Sequence, residues 1–148
     1  MQKNTNFLLD IYDNIFEETL SERTFPLHSG DRIFFIGDLG SGKSTFIRHL
    51  LRSHFHDDSL IVRSPTYTYY QKYGENIYHF DLYRLESLED FYFIGGQDII
   101  DNPNNICLIE WPEILGETIS PTKKISITTN EDGSRRFEIS TRRAPATE

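Results

Sequence analysis

The chain reads as a single α/β domain: a mixed, mostly parallel central sheet between helical layers, ending in an antiparallel hairpin. Three observations carry that reading. Arg32-Ile33-Phe34-Phe35-Ile36 is a short apolar run closed by glycine, as a strand buried on both faces should be. A helical pattern follows at once, with Phe46, Ile47, Leu50 and Leu51 on one face of residues 44–53. Near the end, residues 123–129 and 135–140 alternate apolar and polar across Asn130-Glu131-Asp132-Gly133, the mark of a hairpin.

The remaining elements follow in order. Phe7, Leu8, Ile11, Ile15 and Phe16 recur at three- and four-residue steps, predicting a short amphipathic helix over residues 6–18. Phe25-Pro26-Leu27 reads as an edge strand, since proline cannot donate to a central ladder. A short strand is expected at Leu60 to Val62, then a Tyr-rich segment, 67–73, that Gly74-Glu75-Asn76 folds against Ile77 to Leu82. Ser87 can cap a helix over 88–94, with Asp90 in the capping-box position and Gly95-Gly96 ending it. Ile106 to Ile109 is a further buried strand. Residues 1–29 thus form an N-terminal helix and edge strand, 30–141 the core, and 142–148 a frayed tail.

With 148 residues the chain fits one domain, and a fold of this size buries roughly 68–70% of its unfolded surface, enough to stand without disulfides. The single cysteine, Cys107, excludes a disulfide framework and suits a reducing compartment. No apolar run approaches the ~18–20 residues that span a bilayer, so a soluble, cytoplasmic protein is expected. Fifteen Lys and Arg stand against 23 Asp and Glu, a net charge of −8. That balance disfavours a nucleic-acid coat, which needs cations to displace counterions from phosphates.

The chemistry concentrates at Gly37-Asp38-Leu39-Gly40-Ser41-Gly42-Lys43-Ser44, followed by Thr45. This is a full match to the phosphate-loop pattern G-x-x-x-x-G-K-[ST], placed between strand and helix as its mechanism demands. Glycines let successive N–H groups face one concavity, and the helix N-terminus adds positive potential. Lys43 would reach the terminal phosphates of a nucleotide, and Ser44 would place its hydroxyl on Mg²⁺. The fold class is accordingly P-loop NTPase-like.

A second metal ligand is expected at the end of a neighbouring buried strand, and Glu110 stands there after Ile106-Cys107-Leu108-Ile109. Alternation puts His79 and Asp81 on one face of their strand. On spacing alone Asp81 is equally an acid that orients the attacking water or holds a metal-bound one and a salt-bridge partner of Arg84. Thr66, after Pro65, is equally a switch hydroxyl that senses the γ-phosphate and a simple loop threonine. Trp111 beside Glu110 packs near the nucleotide or in the core. Thr122-Lys123-Lys124-Ile125 lacks the aspartate of a guanine reader, which favours ATP. His49, His54 and His56 read as a solvated helix end rather than a metal site, and Tyr67, Tyr69, Tyr70 and Tyr73 as faces of a twisted hairpin.

Taken together, GDLGSGKST (37–45), SPTYT (64–68), HFDLYRL (79–85) and CLIEWPE (107–113) resemble, in that order, the TsaE/YjeE family of small bacterial ATPases. The resemblance covers about residues 30–140, and its last three motifs are more specific than the phosphate loop. It implies a part in making threonylcarbamoyladenosine beside the tRNA anticodon, with TsaB and TsaD as partners, tRNA met only through them, and ATP hydrolysis resetting that pair between turnovers. Carried over by motif, Lys43 and the loop bind phosphates, Ser44 and Glu110 hold Mg²⁺, Asp81 belongs to the catalytic centre, and Thr66 lies in the adjoining switch-like segment. Ser44 stands where the family usually has threonine, and the family's usual helix with its threonine before the first strand is not evident ahead of Gly30. Two other functions fit the phosphate loop: a small-molecule kinase with Arg135, Arg136, Arg142 and Arg143 as a lid, and a nucleotide-gated binding module with incidental hydrolysis.

Overall fold

The computed structural model describes residues 7–15, 25–38 and 40–142. Seven described strands form one sheet in the order β1-β7-β6-β2-β5-β4-β3. They are β1 (Phe7–Ile15), β2 (Arg32–Ile36), β3 (Tyr70–Tyr73), β4 (Ile77–Asp81), β5 (Ile106–Glu110), β6 (Lys123–Thr129) and β7 (Arg135–Arg142). The described helices are α1 (Lys43–Phe55), α2 (Leu88–Phe93) and α3 (Gly96–Asp101), with a 3₁₀ turn at Pro112–Leu115.

The four central strands β6, β2, β5 and β4 run parallel. The pairings outside them, β1 with β7, β7 with β6, and β4 with β3, are antiparallel. The sheet is therefore evenly mixed rather than mostly parallel. Short turns account for two of the three antiparallel pairings: three residues join β3 to β4 and five join β6 to β7, and connections that short return a strand only antiparallel.

Side chains leave the sheet alternately on two faces. Ile33, Phe35, Leu108, Ile125 and Phe137 pack with Phe46, Ile47, Leu50 and Leu51 of α1. Phe34, Phe80, Cys107 and Ile109 pack on the other side with Phe91 of α2, Ile100 of α3 and Leu115. Each such side chain stabilises the fold by about 1.5–3 kcal/mol when fully buried. The β3–β4 hairpin, β5, the Ser87 cap and the β6–β7 hairpin match expectation, and Ser87 Oγ accepts from the Asp90 N–H. β7 runs on to Arg142, where a frayed tail was expected; 143–148 lie outside the described residues.

The N-terminal helix is corrected. Residues 7–15 are a strand, laid antiparallel along β7 from Phe7↔Arg142 to Ile15↔Arg135, with an irregularity between Tyr12 and Ile15. Leu8 and Ile11 are about half exposed, so the spacing that imitates a helix marks no buried face of this segment. The ladder offered by β7 then outweighs a short helix, whose isolated stability is marginal. Phe16 and residues 17–18 of the expected helix lie outside the described residues.

Phe25-Pro26-Leu27 is likewise not a strand. Its ties are side-chain ones: Phe25 meets Phe46 edge-on at 6.0 Å, and the Pro26 carbonyl accepts from Lys123 Nζ. Leu60 to Val62 joins no ladder, the Leu60 carbonyl accepting instead from Arg52 Nε. No described helix is long and apolar enough to cross a membrane.

Candidate functional site

Three parallel strands end at one edge of the sheet and deliver the site there. β2 leads into the glycine loop, β4 ends on Asp81 and β5 on Glu110, with Asp81 registered directly against Glu110. The loop closes onto α1 through Gly42 at φ 106°, ψ 11°, and the helix start carries no side-chain cap. An uncapped N-terminus leaves backbone donors free to receive an anion. Gly40 also has positive φ (81°), which an L side chain adopts only with strain.

A cavity of about 440 Å³ opens between these parts. Asp38, Gly40, Gly42, Lys43, Ser44, Thr45, Thr66, Asp81, Glu110 and Trp111 all line it, so most of the expected residues converge. Ser41 does not: it is buried beneath the loop, its Oγ has no partner, and it lines a separate cavity beside β6. Leu39 lies outside the described residues.

Lys43 is only 5% exposed. Its Nζ donates to the Gly37 carbonyl and sits 3.7 Å from the centre of the Trp111 ring. Burial lowers its pKa, opposed by the negative charges of Glu110, Glu113, Asp81 and Asp38. Trp111, with φ 56° and ψ 57°, is half-buried and forms a wall of the site, outside both core clusters, and Tyr83 packs against its ring at 4.9 Å.

Asp81 is buried, and desolvation raises its pKa above the ordinary carboxylate value. The Tyr83 N–H donated to Asp81 Oδ1 lowers it, Glu110 adds to the rise, and His79 and Lys43 oppose it. No described ion pair joins Asp81 to Arg84; Arg84 instead stacks its guanidinium over Tyr67 at 4.7 Å. Glu110 is 3% exposed, and its Oε2 lies 2.6 Å from His79 Nε2. Thr66 Oγ1 is 3.0 Å from Ser64 Oγ at the cavity mouth.

Sequence reasoning missed two features. The first is the His79–Glu110 contact, hinted at only by His79 sharing a face with Asp81. The second is the contact of Arg135, named from the sequence only as one arginine of a kinase lid: it lines the cavity, and its Nε–H donates to the Ser41 carbonyl at 2.6 Å across 94 residues of chain. No local pattern announces a contact of that span.

The donor set is hard oxygen: two adjacent carboxylates and the exposed Ser44 hydroxyl beside a loop with an uncapped helix start. Such a set suits Mg²⁺, which takes one or two carboxylates and completes its shell with water and substrate phosphate. Among the described residues no three His, Cys, Asp or Glu side chains gather as a protein-only metal cage. His54 packs edge-on against Phe55, and His56 ends α1 in a left-handed conformation.

Fold and site together define a mixed α/β protein whose glycine-rich strand-to-helix loop faces two buried carboxylates at the carboxyl edge of the parallel strands. Residues 14–139 match the family model described as threonylcarbamoyl adenosine biosynthesis protein TsaE, and the chain belongs to that family. It is 37% identical over 146 residues to the tRNA threonylcarbamoyladenosine biosynthesis protein TsaE of Haemophilus influenzae, covering 94% of this chain and 90% of that one. The protein of the same name from Borreliella burgdorferi is 35% identical over 119 residues, 76% of this chain and 82% of that one. Among solved structures, Bacillus subtilis YdiB superposes with a TM-score of 0.59 at 26% identity, over 95% of this chain and 88% of that one.

Proposed function

We propose that this chain is the Mg²⁺-dependent ATPase subunit of tRNA threonylcarbamoyladenosine biosynthesis, built on a three-layer P-loop NTPase-like domain. It binds and hydrolyses ATP, slowly when alone, to reset a TsaB–TsaD partner pair in the cytoplasm. The observation that carries the reading is the convergence of Lys43, Ser44, Asp81 and Glu110 on one cavity in a TsaE-family chain.

The roles follow from chemistry. Loop N–H groups and Lys43 Nζ receive the phosphates, which requires Lys43 to leave the Gly37 carbonyl for an anionic partner. Ser44 Oγ and Glu110 would hold Mg²⁺, which when bound neutralises charge on the phosphate oxygens. Asp81, the adjacent carboxylate, orients the attacking water, and burial makes it a better proton acceptor than an exposed aspartate. Thr66, on the cavity rim, reports the γ-phosphate to the surface. With a net charge of −8, the chain leaves most tRNA contact to its partners.

Reconstitution tests the reading. Threonylcarbamoylation by TsaB and TsaD should continue over many turnovers only when this chain and ATP are present. Lys43→Ala should abolish nucleotide binding, while Asp81→Ala and Glu110→Ala should lose turnover more than binding. A partner pair that cycles indefinitely without the chain would refute the proposal, as would equal loss of binding in all three variants.

A further inference from the structure

His79 is a histidine with 1% exposure at the centre of the α1 face of β4, and none of the roles above uses it. Its Nε2 lies 2.6 Å from Glu110 Oε2, and both side chains are buried (1% and 4% exposed). Two bare acceptors cannot sit at that distance, so one proton lies between them. The other ring nitrogen, Nδ1, has no partner among the described residues. A buried N–H without an acceptor is costly, whereas a bare lone pair costs less. The ring is therefore the tautomer with its single proton on Nε2, donating to Glu110. A buried donor on one carboxylate oxygen fixes the side-chain rotation and leaves Oε1 as the oxygen His79 does not engage.

We propose that His79 is the positioning residue of the metal-binding carboxylate: its Nε2–H locks Glu110 so that the remaining oxygen is presented to the divalent cation of the nucleotide. The inference rests on the assignment of Glu110 as a metal ligand. It concerns orientation alone, since His79 reaches no reacting atom.

The test is binding of Mn²⁺, used as the probe for the site, to the intact chain with ADP, followed by electron spin resonance and by fluorescence of the single tryptophan, Trp111. His79→Met fills the space without a donor and should weaken Mn²⁺ by roughly 10–100-fold, the usual cost of losing such a partner. ADP affinity in the presence of a chelator should stay within about twofold, because the loop is untouched. His79→Gln keeps a donor at the same reach and should remain within about threefold of the parent. In a Glu110→Gln background, His79→Met should cause no further loss.

A merely structural histidine would give a lower thermal midpoint with unchanged Mn²⁺ affinity in the folded protein, and that result overturns the proposal. Should His79→Met fail to fold, His79→Gln decides alone: a loss matching that of Glu110→Gln overturns it. Nucleotide binding by the parent with no dependence on Mn²⁺ would remove the metal assignment and this inference together. Metal dependence in the parent with an unaltered His79→Met would remove this inference only.

Discussion

Replacing Gly37 with alanine sets a methyl carbon 2.5 Å from Ser41 Oγ and 2.8 Å from the Ile127 carbonyl oxygen. The first conflict is cheap to relieve, because Ser41 Oγ has no hydrogen-bond partner holding its rotamer. The second is not: Ile127 lies within β6, which is paired on both sides by β2 and β7. Reaching an ordinary carbon–oxygen separation of about 3.3 Å requires the loop to lift by about 0.5 Å. Overpacking of that kind costs about 1–3 kcal/mol. At about 2 kcal/mol, thermal unfolding of a chain this long should fall by about 4–8 °C. Gly40 supplies the control, for no atom stands within 4 Å of its added carbon while its φ is +81°. There the penalty is backbone strain of about 1–2 kcal/mol. Asparagine tolerates that conformation, so Gly40→Asn should outlast Gly40→Ala. At Gly37 the order reverses, since asparagine is larger. Melting curves of the four variants decide the matter, and a Gly37→Ala protein that melts with the parent, or a Gly37→Asn that outlasts it, refutes the reasoning.

Other outcomes follow from buried charge. Asp31 accepts from Lys123 Nζ at 2.9 Å, Thr122 Oγ1 at 2.8 Å and the His28 N–H at 2.8 Å, so Asp31→Ala strands a buried ammonium. The cost should be about 3–5 kcal/mol in urea unfolding, and a loss below about 1 kcal/mol would contradict it. The folded pKa of Asp81 is raised, so folding favours its protonated form: that contribution is present below the ordinary value of 3.8 and lost as pH rises through the folded pKa. Asp81→Asn should therefore melt higher than the parent near neutral pH, with the gain shrinking toward the acid range; a gain independent of pH would count against it. Burial pushes the Cys107 thiol up to about 12, so thiol reagents at pH 8 should label it only on unfolding, as timed against loss of circular dichroism.

How far the sequence reached depended on the range of the interactions involved. The β2–loop–α1 unit was legible because strand, loop and helix are contiguous and each has its own pattern. The Ser87 cap and the turns at Gly74 and Gly133 were legible for the same reason, since local backbone chemistry decides them. β1 was not, because its state is decided by the free edge of β7 more than a hundred residues away, and its exposed Leu8, Leu9 and Ile11 break the apolar–polar alternation. Phe25 to Leu27 failed differently: its anchors are the Lys123 ammonium and the Phe46 ring rather than a ladder.

The site divides along the same line. Lys43, Asp81 and Glu110 could be named because each ends a recognisable element, and the parallel register of β2, β5 and β4 then has to bring those ends to one edge. What register does not dictate is how side chains at that edge engage each other. Lys43 settles against Trp111, His79 against Glu110, and Arg135 against the Ser41 carbonyl, and each pairing joins elements that only the folded sheet makes neighbours. A chain with the same motifs but without such partners would present the same sequence signature over a differently arranged site.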